Sequence, residues 1–147
     1  MRNFIIHILF IVAVVAIGMA VGLRWQPGEW YAGLQKPFFT PPNSWFPVVW
    51  TALYVMIGWA GGRVFLLGGP ALLWIVQMAL NFAWTPVFFG GHHMLAGLGI
   101  ISLLWLTTLA FIVRAWRVDK FASALFVPYA LWVTVAAALN GTLILLN

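Results

Sequence analysis

The chain has 147 residues, of which 65% are hydrophobic and 6% charged, with a mean hydropathy of +1.05 and a net charge of +5. A soluble surface normally carries about 25–35% charged residues, so this composition excludes a soluble domain and defines an integral membrane protein. The absence of cysteine excludes a disulfide framework, a thiol nucleophile and Cys-based metal sites, and basic residues that recur singly between apolar runs mark membrane flanks rather than a nucleic-acid partner.

In chain order, Arg2 precedes an apolar run over residues 4–23, which at 1.5 Å per residue spans a hydrocarbon core of about 30 Å. A signal peptide is the rival reading, but its apolar region is usually only about 7–15 residues long. His7, near the start of this span, has no partner at ligand spacing and is read as an interfacial or bundle-facing histidine. Residues 24–44 form a loop shaped by Pro37, Pro41 and Pro42, each of which lacks a backbone donor and restricts the residue before it. Asn43 or Ser44 is placed to cap the second span, residues 45–65, with Pro47 in its first turn.

Gly68, Gly69 and Pro70 then make a turn. Residues 64–113 contain no Lys, Arg, Asp or Glu, too long an interval for one crossing and suited to two, divided by Gly90, Gly91, His92 and His93. Spans over 71–89 and 94–113 result, and a fifth over 122–146 follows the charged turn at Arg114, Arg117, Asp119 and Lys120. Pro86 and Pro128 fall inside spans, where proline is tolerated as a kink. The continuous apolar runs exclude a membrane β-barrel, whose strands alternate. The predicted fold is therefore all-α, a single five-transmembrane-helix bundle over residues 1–147. Five of the seven cations, Arg2, Arg63, Arg114, Arg117 and Lys120, fall on one side, against Arg24 and Lys36 on the other. The positive-inside rule then predicts a cytoplasmic N-terminus and an external Pro-rich loop.

Little conventional chemistry is available. The two acids, Glu29 and Asp119, fall on opposite sides, so paired-carboxylate hydrolysis and a buried proton relay lack their parts. His92 and His93 point apart and do not chelate together, so no metal site is expected. The chain offers aromatics and amides instead. Trp50 and Tyr54 share one face of the second span; Gln77, Asn81, Trp84 and Phe88 share one of the third; Trp132, Ala136 and Leu139 share one of the fifth. These stripes either pack the bundle or line a common cavity, and amides at membrane depth (Gln77, Asn81, Asn140) must point inward. Gly18 with Gly22 and Gly58 with Gly62 have the small-xxx-small spacing that permits close helix contact, within the chain or in a dimer.

Three segments, WYAGLQKPFFTPPNSWFPVVWTALY, ALNFAWTPVFFG and LFVPYALWVTVAAALN, in this order and separation, closely resemble the TspO/translocator protein family, also called tryptophan-rich sensory proteins or peripheral-type benzodiazepine receptors. The resemblance covers nearly the whole chain. It implies a five-helix bundle, usually a homodimer, that binds porphyrins such as protoporphyrin IX, drug-like isoquinoline carboxamides and, in animal members, cholesterol. Carried over by position, the implied ligand-binding residues are Tyr31, Trp50, Tyr54, Asn81, Trp84, Trp132, Ala136 and Leu139, to which the third-span stripe adds Phe88. The C-terminal stretch LNGTLILLN lacks the Tyr and basic residue of the animal cholesterol pattern, which points to a bacterial member in the inner membrane. The expected role is a porphyrin-binding protein acting in sensing, transport or removal, without a resident cofactor and with Arg24 and Lys36 as cations for the ligand's carboxylates. The alternatives are light- and oxygen-dependent porphyrin breakdown, for which the resemblance implies Trp50 and Trp132 as the reactive indoles, and a structural scaffold.

Overall fold

In hydrocarbon a backbone has no hydrogen-bond partner but itself, so each long apolar run closes into a helix. The structure, a computed structural model, describes residues 1–147. It comprises α1 (Arg2–Arg24), α2 (Glu29–Ala32), α3 (Trp45–Leu67), α4 (Ala71–Thr85) continued by a π-helical turn (Pro86–Gly90), α5 (Met94–Trp116), α6 (Lys120–Leu125) and α7 (Val127–Leu146). Five helical stretches are long and apolar enough to cross a membrane: Arg2–Arg24, Trp45–Leu67, Ala71–Gly90, Met94–Trp116 and Lys120–Leu146. The protein is thus an all-α, multi-pass membrane bundle.

Four local expectations change. The loop over residues 24–44 contains a short helix, α2, which buries Tyr31. Neither Asn43 nor Ser44 caps α3 through its side chain; backbone turns from Pro42 O to Trp45 N and from Asn43 O to Phe46 N start the helix instead. The fifth span is broken at Phe126, so Pro128 lies in the first turn of α7, where its missing N–H costs nothing, rather than kinking a continuous helix. At Pro86 the α-helical ladder widens: Gly91 N–H donates to Pro86 O at 2.8 Å, an i→i+5 bond, and His93 N–H reaches Val87 O at 3.1 Å.

Helix α1 lies along α3, and α5 packs between α4 and α7. The first contact depends on glycine. A Cβ on Gly58 would stand 2.6 Å from the Cα of Ile11, and one on Gly62 would stand 2.9 Å from His7 Cδ2, so the small-residue face of α3 is occupied by α1 of the same chain. His7 accordingly faces the bundle. The buried amide oxygens of Gln77, Asn81 and Asn140 accept from side chains of other helices, while the Gln77 nitrogen has no partner. Tyr54 Oη donates to Asn81 Oδ1 (3.3 Å), Asn81 Nδ2 to Tyr129 Oη (2.7 Å), and Tyr129 Oη to Gln77 Oε1 (2.9 Å). This chain of hydrogen bonds ties α3, α4 and α7 together.

The two ends of the bundle carry different links. At one end Arg63, at the close of α3, makes a two-pronged ion pair with Asp119, whose carboxylate also accepts from Phe121 N–H as the N-cap of α6. At the other end Asn147 exchanges two hydrogen bonds with Gln35, at 3.0 and 2.9 Å. Since His7 lies beside Gly62, near Arg63, the N- and C-termini sit at opposite ends. The Arg63 guanidinium holds the Asp119 carboxyl below its ordinary range. With Arg63 about 30% exposed, solvent screens the pair, and Asp119→Asn should lower stability by about 1 kcal/mol near neutral pH. A depressed folded-state pKa contributes stability that is present above the ordinary value, about 3.9, and is lost as pH falls through the depressed one. The gap between parent and variant should accordingly narrow in acid, as read by thermal unfolding in detergent from pH 7 to 3.

Candidate functional site

The long loop closes one end of a cavity of about 330 Å³ between α1, α3 and α4. The α3 side is a helical row in which Phe46, Trp50 and Tyr54 recur every four residues and project to one face. Trp50 stacks on Tyr54 with centroids 5.4 Å apart and planes 27° from parallel. From α4 come Trp84 and Thr85, with Phe89 following from the π-helical turn; from α1 come Gly18, Met19, Gly22 and Leu23; from the loop come Trp25, Gln26, Pro27 and Asn43. An aromatic body with a few neutral polar groups at its rim is suited to a flat, largely apolar ligand.

Two glycines shape the α1 wall differently. A Cβ on Gly18 would lie 2.2 Å from Tyr54 Cε2, so the Tyr54 ring rests directly on the α1 backbone, whereas a Cβ on Gly22 meets nothing within 4 Å. The first admits an aromatic side chain, and the second leaves open space.

Of the nine residues expected at the site, Trp50, Tyr54 and Trp84 line the cavity. The other six do not line it. Trp132 meets Trp50 edge to face at 6.5 Å, and Tyr31 packs edge-on against Phe89 at 5.3 Å. Asn81 holds the Tyr54 hydroxyl, and Ala136 and Leu139 are buried in the core of α7. Phe88 stacks behind Trp84 at 5.0 Å, and Phe89 reaches the cavity.

The two loop cations also differ. Lys36 Nζ donates to Ala32 O and Leu34 O and lies 4.6 Å over the Tyr31 ring, which commits it to the loop. Burial pushes the Tyr31 hydroxyl above its ordinary pKa, consistent with its seat beneath the loop. Arg24 is exposed and stacks on Trp25, a wall residue, at 5.5 Å. It is the cation at the mouth.

The sequence profile of the TspO/MBR family matches residues 9–146. The chain belongs to the TspO/MBR family. It is 42% identical over 149 aligned positions to Protein CrtK of Rhodobacter capsulatus, covering 95% of this chain and 91% of that one. It is 39% identical to the tryptophan-rich sensory protein of Cereibacter sphaeroides, with the same coverage. With the translocator protein of Homo sapiens it shares 37% identity over 85% of this chain and 80% of the relative. In this TspO/MBR member, several wall residues escaped the sequence reading. Phe46 had a signal, since it continues the Trp50 and Tyr54 row one turn earlier. Trp25 and Gly18 had none, because their roles depend on how the loop and α1 fold back over α3.

Proposed function

We propose that the cavity binds a tetrapyrrole such as protoporphyrin IX, in the service of sensing, transport or removal of porphyrins. The observation that carries this reading is the aromatic wall of Phe46, Trp50, Tyr54, Trp84 and Phe89, closed by the loop and with Arg24 at its mouth. A planar macrocycle stacks on such a wall, and its propionate edge takes the arginine at the rim. The names sensory protein and translocator protein among the relatives are in keeping with a protein that detects or moves a ligand. Other flat, drug-like apolar molecules fit the same description, and a homodimer in the bacterial inner membrane is the proposed setting. The test is titration of the purified protein with protoporphyrin IX in the dark, followed by tryptophan fluorescence. Saturable quenching that disappears in Trp50→Ala supports the cavity, and quenching unchanged in that variant overturns it.

The enzymatic reading rests on a different observation: Trp132 stands edge-on behind Trp50, giving a pair of indoles that leads from the cavity wall into the bundle. If these indoles donate electrons to an excited porphyrin, Trp50→Phe and Trp132→Phe retain most of the aromatic contact yet slow light-driven loss of the bound ligand. The measurement is the bleaching rate at saturating protein, in light and oxygen. A parent rate equal to that of porphyrin in empty micelles rejects turnover altogether.

For topology we propose a cytoplasmic N-terminus, from the excess of cations at the Arg63 end. Reporter fusions at Asn3 and Asn147 should read cytoplasm and exterior respectively, and the reverse result would reject the orientation.

A further inference from the structure

At the end of the bundle opposite the cavity, Arg114, Arg117 and Lys120 are all exposed at the turn from α5 to α6. The chain has no acid left for them. Of its two acids, Asp119 is paired with Arg63, and Glu29 begins α2 at the other end. Arg114 and Arg117 lie three residues apart and, with Val113 and Val118, wall one recess. Lys120 stands 5.1 Å over the exposed ring of Trp116 beside it. Below the recess, Leu103, Leu106 and Val113 form an exposed apolar ridge down one face of α5 at helical spacing.

We propose that this recess binds the phosphate of an anionic phospholipid, with the acyl chains lying along the α5 ridge. Two guanidiniums one helical turn apart are suited to clasp a phosphodiester, and Lys120, over Trp116 outside the recess, adds to the positive potential around it. The exposed carbonyls at the C-terminus of α5 oppose this with roughly half a negative charge, too little to offset three cations. The apolar ridge distinguishes a lipid from a soluble phosphate, because it gives the ligand a second, hydrocarbon part to bind. Trp116, an amphipathic ring beside these cations, fits the headgroup level of a bilayer.

The test compares the parent with Arg114→Gln/Arg117→Gln in micelles containing phosphatidylglycerol and phosphatidylcholine in equal amounts, counting retained lipids by native mass spectrometry. The parent should retain the anionic lipid in preference by about twenty-five-fold or more, and the preference should fall roughly fivefold for each arginine removed, with Arg117→Gln alone intermediate. Both side chains are exposed and make no bond within the protein, so the fold and protoporphyrin quenching should be unchanged in the double variant. Arg24→Gln, at the opposite end, should keep the parent's preference. Three results would overturn the proposal: an undiminished preference in the double variant, an equal loss in Arg24→Gln, or displacement of the lipid by glycerophosphate at matched concentration, which would make the site one for soluble anions.

Discussion

Gly18→Ala should lower protoporphyrin affinity by about tenfold or more, while Gly22→Ala, one turn away on the same helix, should change it by less than about threefold. The methyl group of the first variant would lie 2.2 Å from the Tyr54 ring, a contact that no side chain tolerates. Tyr54 has little freedom to yield, since Trp50 stacks on its ring and its hydroxyl donates to Asn81. Either the ring swings into the cavity and gives up that hydrogen bond, at about 1 kcal/mol, or α1 moves outward and the wall opens. Both distort the surface on which a flat ligand would stack. At Gly22 the added methyl meets nothing within 4 Å and adds only a little apolar surface. Fluorescence titration of both variants, with helicity and thermal unfolding as controls, decides the matter. Equal losses at the two positions would mean that general helix packing, and not the seat of Tyr54, governs binding.

Gly58→Ala should have the largest effect on stability, about 1–3 kcal/mol or more, with Gly99→Ala neutral. The new Cβ would meet backbone on the facing helix, 2.6 Å from Ile11 Cα and 2.9 Å from both Ile11 N and Phe10 O. A backbone cannot turn aside as a side chain can, so α1 must separate from α3. That separation removes the main contact holding α1 to the protein, since only Val14 and Gly18 of α1 are buried. Gly99 faces open space, and alanine there is the better helix former. Unfolding by a graded denaturing detergent would measure the difference, and a tolerant Gly58 would show that α1 is held in some other way.

The same two glycine pairs show where sequence reasoning reaches its limit. In sequence, Gly18 with Gly22 and Gly58 with Gly62 are alike, each a small residue repeated after one turn. In the fold, Gly58 and Gly62 admit the α1 backbone and a histidine, Gly18 admits an aromatic ring, and Gly22 borders empty space. A spacing states that two residues share a face, and only the facing element states what fills it. Lys36 makes the same point: it reads as a free loop cation, yet the turn after α2 folds its ammonium onto two carbonyls and leaves Arg24 at the mouth.

What the sequence determined by itself was the part governed by local chemistry and by the bilayer. Apolar runs of about twenty residues must be helices, few charges must mark their ends, and buried amides must turn inward, since lipid offers no alternative partner. Gln77, Asn81 and Asn140 are buried on those grounds. The tertiary structure decided which aromatic stripes meet. The rows of α3 and α4 converge beneath the loop and form the cavity, whereas the row of α7 does not reach it: Trp132 stands edge-on behind Trp50 and Phe46, which already fill that side of the wall. It also decided which phenylalanine arrives there: Phe89, one turn after Thr85, lines the cavity while Phe88 stacks on Trp84 behind it, because the flank of a helix that borders a cavity is set by the helices packed around it.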